Sequence, residues 1–124
     1  MNESDRPYWV ALTAFRPFGA VRISRLARRF SSMEKAFGAS ALELTEAGIE
    51  PEIANRFLQE RIHIEPDTLF RELEVQGVSA ITIQDEIYPP LLKHIYDPPA
   101  VLFVRGALPD PTRKHLAVVG SRKP

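Results

Sequence analysis

The sequence predicts an α+β/α/β protein, with an all-helical first half (residues 1–63) and the start of a mostly parallel α/β sheet in residues 64–124. Two observations lead there. Up to residue 63, apolar residues recur at helical spacing between proline, serine and glycine breaks. Beyond it, short continuous apolar runs rich in β-branched residues take over, the pattern of strands covered on both faces and joined by helices.

Asp5-Arg6-Pro7 is a helix start, with proline near the first helical position, and Tyr8 to Phe15 is apolar nearly all round before Pro17 stops it. Phe18-Gly19-Ala20 turns into a second helix with Ile23, Leu26, Ala27 and Phe30 on its apolar side. Ser31-Ser32-Met33-Glu34 is a capping signal for a third helix, which Gly38 breaks. Ser40 to Glu46 forms a fourth. Ala47-Gly48-Ile49 turns, and Pro51 opens a fifth helix whose buried side is expected to be Ile53, Phe57, Leu58 and Ile62. Glu65-Pro66-Asp67 opens a sixth through Leu69, Phe70 and Leu73, with Gly77 at its C-terminal end. Strands are expected at Val78 to Ile83, Ala100 to Val104 and His115 to Val119. Prolines 89, 90, 98, 99, 109 and 111 fall in the connections, where a missing N–H costs little.

Composition narrows the function. In 124 residues, 44% are hydrophobic and 26% charged, a globular balance. The absence of cysteine excludes disulfides, thiolate metal sites and cysteine nucleophiles. His63, His94 and His115 are too scattered for a metal constellation, and no nucleophile sits at recognisable spacing from a base. Ser24, Ser31 and Ser32 suit surface or capping roles. No cofactor, no metal and no membrane span are expected. The acidic start, Met1 to Asp5, is unlike a signal peptide, which leads to a soluble cytoplasmic protein.

Sixteen basic and sixteen acidic residues cancel, but six arginines and no acid occupy Arg6 to Met33. Arg22, Arg25 and Arg29 share one face of the second helix, with Arg28 beside them. Such a face can hold DNA phosphates. It can equally be a solvated face paired with Glu34 or with the acids from Glu43 to Glu52. The glycine turns at Gly19 and Gly48 each precede a helix carrying an Arg-Phe pair, a loose tandem helix-hairpin-helix pattern. Tyr8, Trp9 and Phe15 can stack on bases, although a near-continuous apolar helix places them in a core. The third strand runs into Gly120-Ser121-Arg122, where close backbone approach, a hydroxyl and a guanidinium can meet a phosphate. Pro124 follows before any helix that would complete such a site, so the chain is expected to be part of a longer protein.

Tyr88-Pro89-Pro90-Leu91-Leu92, Ile95, Asp97-Pro98-Pro99, Leu102 to Gly106 and Ala117 to Arg122 together resemble the DNA-processing protein A (DprA/Smf) family. The first half is similar in outline to that family's SAM-like, helix-hairpin-helix domain. The resemblance implies a non-catalytic, cytosolic recombination mediator with an extended Rossmann-like domain. In that family it binds single-stranded DNA and hands it to the RecA recombinase during natural transformation. It also implies a homodimer for the full-length protein, and a phosphate-holding role for Gly120, Ser121 and Arg122. The family's motif continues into a serine and a tyrosine-glycine pair that this sequence does not contain. Arg22, Arg25, Arg28 and Arg29 are a second candidate contact. Two rivals stand beside this reading: a nucleotide-cleaving enzyme, for which no acidic motif is present, and a helical protein-docking module attached to a nucleotide-binding Rossmann-like domain.

Overall fold

A computed structural model describes residues 2–105. After a single 3-10 turn at Glu3–Asp5 the order is α1 (Arg6–Ala14), α2 (Ala20–Arg29), α3 (Met33–Phe37), α4 (Ala41–Glu46) and α5 (Pro51–Glu60). Then come a 3-10 turn at Arg61–His63, α6 (Pro66–Val75), β1 (Val78–Thr82), α7 (Pro90–Lys93) and β2 (Val101–Arg105). The predicted third strand, His115 to Val119, lies outside the described residues.

The helix boundaries follow local chemistry. Pro7, Pro51 and Pro66 sit in first turns, where their missing N–H is one of the groups left unbonded anyway. Ser40 caps α4 in a complete capping box with Glu43. Ser32 caps α3 by accepting from the Lys35 N–H, but α3 has a second cap from far away. The buried Asp5 carboxylate accepts from the backbone N–H groups of Met33 and Glu34, both at 2.9 Å. No local pattern announces that clamp, because its partners are separated by 28 and 29 positions.

Helix α1 is the centre of the molecule. Trp9, Val10, Ala11 and Leu12 are all buried, and α1 packs against α3, α6 and β1. Phe15, Phe18, Phe37 and Phe57 pack as a ring cluster with centroids 4.8 to 5.7 Å apart, in tilted or edge-on arrangements. One apolar cluster takes in Trp9 and Phe57 together with Leu73, Val78 and Phe103, so helices and ribbon share a core. Of the four residues expected to line α5, Phe57 is fully buried and Ile53 and Leu58 are half-buried. Ile62 is 73% exposed: the backbone tightens to 3-10 geometry at Arg61, which rotates the next side chain out of the helical stripe.

The expected parallel sheet is corrected. Among the described residues β1 and β2 form a two-stranded antiparallel ribbon, with Val78 opposite Arg105, Ala80 opposite Phe103 and Thr82 opposite Val101. A parallel pair needs a crossover long enough to return the chain to the same end. Here residues 83–100 hold only the single turn of α7, and the chain folds straight back. The apolar runs were continuous for another reason. Val78, Ala80, Val101 and Phe103 face the helical core, while Ile81, Leu102 and Val104 face a second cluster closed by Tyr88. Both faces of an antiparallel ribbon are therefore covered. Tyr88 is 1% exposed and its hydroxyl donates to the Pro99 carbonyl at 2.7 Å, joining the two proline blocks.

The outer edge of β1 is closed by side chains. Arg6 Nη1 donates to the Ala80 carbonyl at 2.8 Å and to Asp85 Oδ2 at 2.6 Å. Asp85 Oδ2 in turn accepts from the Thr82 N–H at 2.7 Å. These contacts occupy part of the β1 edge and hinder another strand from pairing there.

Candidate nucleic-acid interface

Four of the seven predicted DNA-binding residues lie on α2, and the structure gives each a definite place. Arg22 forks onto Glu50, with Nε and Nη2 each 2.9 Å from a carboxylate oxygen, and its Nη1 donates to the Pro17 carbonyl. That bidentate pair holds the Glu50 carboxyl down at about 2. Arg25 Nη1 donates to the Gly48 carbonyl at 2.9 Å. Arg29 reaches Glu46 at 3.4 Å and lies over the Phe30 ring. Three arginines thus bind the α4–α5 turn, two of them through acids from the Glu43 to Glu52 group. Arg28 is exposed and makes no hydrogen bond or ion pair among the described residues. Gly120, Ser121 and Arg122 lie outside the described residues.

The two glycine turns differ. Gly48 has φ +102°, and the N–H groups of Gly48 and Ile49 bond the Thr45 and Leu44 carbonyls in a Schellman closure of α4. Those amides are occupied, and Glu46, Glu50 and Glu52 flank them. Gly19 has an ordinary φ of −82° and is the N-cap of α2, so the first N–H groups of α2 have no partner within the helix. Of the two turns, the first is the one open to an anion.

Gly48 also seats Arg25: a Cβ there would lie 3.1 Å from Arg25 Cδ. Gly48→Ala is expected to lower stability by about 1 kcal/mol, mostly because an L-residue resists a left-handed backbone. Urea unfolding of the two proteins measures it, and equal midpoints would show that the turn does not require glycine.

A groove of about 370 Å³ runs between α2 and the 83–100 connection. It is lined by Trp9, Ser24 and Arg28 on one side and by Gln84, Asp97 and Pro98 on the other. The sequence reading passed over Gln84 and used Asp97 only as part of the Asp97-Pro98-Pro99 motif, because distance in sequence from α2 hides the proximity of both to it. The one local signal was Asp97 itself, with φ +53° just before a proline. Trp9 is 1% exposed, and Phe15 is equally buried. Both belong to the core. Among the described residues there is no cluster of three metal-ligating side chains, and no helix is long and apolar enough to cross a membrane.

The profile of the family described as DNA recombination-mediator protein A matches residues 79–124. The chain is also 29% identical over 129 aligned residues to the protein Smf of Synechocystis sp., an alignment that covers all of this chain and 32% of that protein. The chain belongs to the DprA/Smf family. Protein Smf of Borreliella burgdorferi is 35% identical over 89 residues, covering 68% of this chain and 28% of its own length. The DNA processing protein DprA of Bacillus subtilis is 44% identical over 50 residues, 40% of this chain and 17% of that protein. The chain therefore spans a third or less of these DprA/Smf relatives. No solved structure is matched. Membership of the family supports a DNA-processing role in recombination.

Proposed function

We propose that this chain is part of a non-catalytic recombination mediator that binds single-stranded DNA, protects it as it enters and loads RecA onto it during natural transformation. The observation that carries this reading is the match of residues 79–124 to the recombination-mediator family, a span that includes the Gly120-Ser121-Arg122 motif. In this proposal Arg122 pairs with a phosphate and the amides near Gly120 approach the backbone, contacts that position a strand without reading its bases. Residues 1–63 are a SAM-like helical domain and residues 64–124 begin the Rossmann-like DNA-binding domain. The full-length protein works as a cytoplasmic homodimer.

Fluorescence anisotropy of labelled oligo-dT and of a matched duplex tests the DNA contact. The chain is expected to prefer the single strand and to lose affinity steeply as salt rises, since phosphate neutralisation releases counterions. Arg122→Ala is expected to weaken binding about tenfold, the worth of one charge-assisted pair. Unchanged affinity in that variant would remove Arg122 from the contact.

One observation favours a second reading, the protein-docking module. Arg22, Arg25 and Arg29 are held by Glu50, Gly48 and Glu46, so they act as internal ties of the helical half. Arg25→Glu with Arg29→Glu separates the readings: a docking module keeps its DNA-independent associations, while a phosphate-binding face loses oligo-dT.

A further inference from the structure

Helix α2 offers one arginine that the fold does not use. Arg28 is exposed and has no partner among the described residues, and it lines the groove that faces the 83–100 connection. The first turn of α2, Ala20 and Val21, lines the same groove, adding the positive end of a ten-residue helix. A third feature is independent of charge. Trp9, also lining the groove, has a buried indole N–H with no hydrogen-bond partner among the described residues, and buried donors of that kind are normally satisfied. Asp97 contributes an acceptor from a residue held at φ +53°, a conformation unusual outside glycine and enriched at binding sites.

We infer that this groove binds a single nucleotide, with its phosphate at Arg28 and its base against Pro98. The chemistry selects that class. The exposed cation wants an anion, whereas Asp97 wants a donor. Val21, Ala27 and Ala100 want a flat apolar body between the two. A nucleotide carries a phosphate, an N–H-bearing base edge and a ring in one molecule. A volume of about 370 Å³ suits a compact ligand of that size and is too small for a run of strand. The nucleotide is either free or part of a single strand, and in the second case the site rests on the DNA-binding reading above.

Trp9 is the only tryptophan in the chain, so its fluorescence reports this groove directly. The 124-residue chain is titrated with dTMP, thymidine, short oligo-dT and an acidic peptide, while anisotropy of labelled oligo-dT is followed separately. A saturable change in Trp9 emission is expected with dTMP but not with thymidine, which lacks the phosphate. Arg28→Gln is expected to weaken the dTMP response about tenfold. Arg71→Gln, an exposed change on α6, serves as the charge-matched control and leaves the response intact. Circular dichroism confirms that the exposed Arg28→Gln variant is folded. Oligo-dT moving Trp9 emission while dTMP does not, with the response lost in Arg28→Gln, supports a nucleotide held within a strand, whereas neither ligand moving it would overturn the site. If anisotropy shows salt-sensitive oligo-dT binding while Trp9 emission stays fixed, the groove assignment is overturned and the DNA reading survives. If dTMP moves Trp9 and oligo-dT does not bind, the groove stands alone. An acidic peptide that moves Trp9 where dTMP fails also overturns the nucleotide assignment.

Discussion

Replacing Phe57 with alanine is expected to cost about 4 kcal/mol, close to the whole stability of many chains this size. The side chain is fully buried, and its ring lies 5.3 Å from Phe15, 4.9 Å from Phe18 and 5.7 Å from Phe37. Those rings come from the end of α1, the turn before α2, and α3. One deletion therefore opens a cavity where several elements meet, and backbone relaxation in one cannot refill it without disturbing the others. Phe57→Leu keeps most of the volume and is expected to cost about 1 kcal/mol. Urea unfolding checks the pair. A loss near 1 kcal/mol for Phe57→Ala would show that the site collapses freely and that the ring cluster is not a keystone.

Arg6→Ala is expected to cost about 3 kcal/mol, through a different mechanism. Arg6 is 15% exposed in its side chain and binds Glu3, Asp85 and the Ala80 carbonyl together. Removing it strands a largely buried Asp85 carboxylate and leaves the Ala80 carbonyl without its partner on the β1 edge. The pH dependence separates this from a simple packing loss. Burial pushes the Asp85 carboxyl up, but its bonds to Arg6 and to Thr82 outweigh that and hold it below the usual aspartate range. Glu3 is lowered as well, chiefly by its hydrogen bond to Arg6. Folded-state values below the unfolded ones stabilise the protein above the ordinary carboxylate range, and that gain is lost as pH falls through the folded values. The difference between wild type and Arg6→Ala in urea is therefore expected to be full at about pH 7 and to shrink below about pH 4. A gap that does not change with pH would assign the whole effect to lost packing of the arginine stem.

Much of the helical half was legible because its signals are local. Ser40 and Glu43 are three residues apart, Pro51 sits in the turn it opens, and Gly48 and Gly77 take the left-handed backbone that ends their helices. The amphipathic stripe of α2 was correctly divided, with Ile23 and Leu26 buried. What its arginines do was not legible. A row of guanidinium groups looks the same whether it awaits a phosphate or already holds Glu50, Gly48 and Glu46, and the choice depends on which turn lies opposite.

The sheet shows the same division. Apolar runs at Val78 and Val101 specified two strands covered on both faces, because period and residue type decide how much of a strand is buried. Strand direction depends on how the connection crosses, and residues 83–100 fold back over Ile81 and Leu102 instead of crossing over. Family membership was carried by the order of short motifs, which needs no coordinates. The groove needed them. Trp9, Arg28, Gln84 and Asp97 span 88 positions, and only the packing of α2 beside that connection brings to one place a cation and an indole donor without partners among the described residues, and a strained acceptor. Local sequence thus determined caps, helices, strands and family. Tertiary structure decided partners and strand direction, because both depend on groups that meet only after the chain has folded.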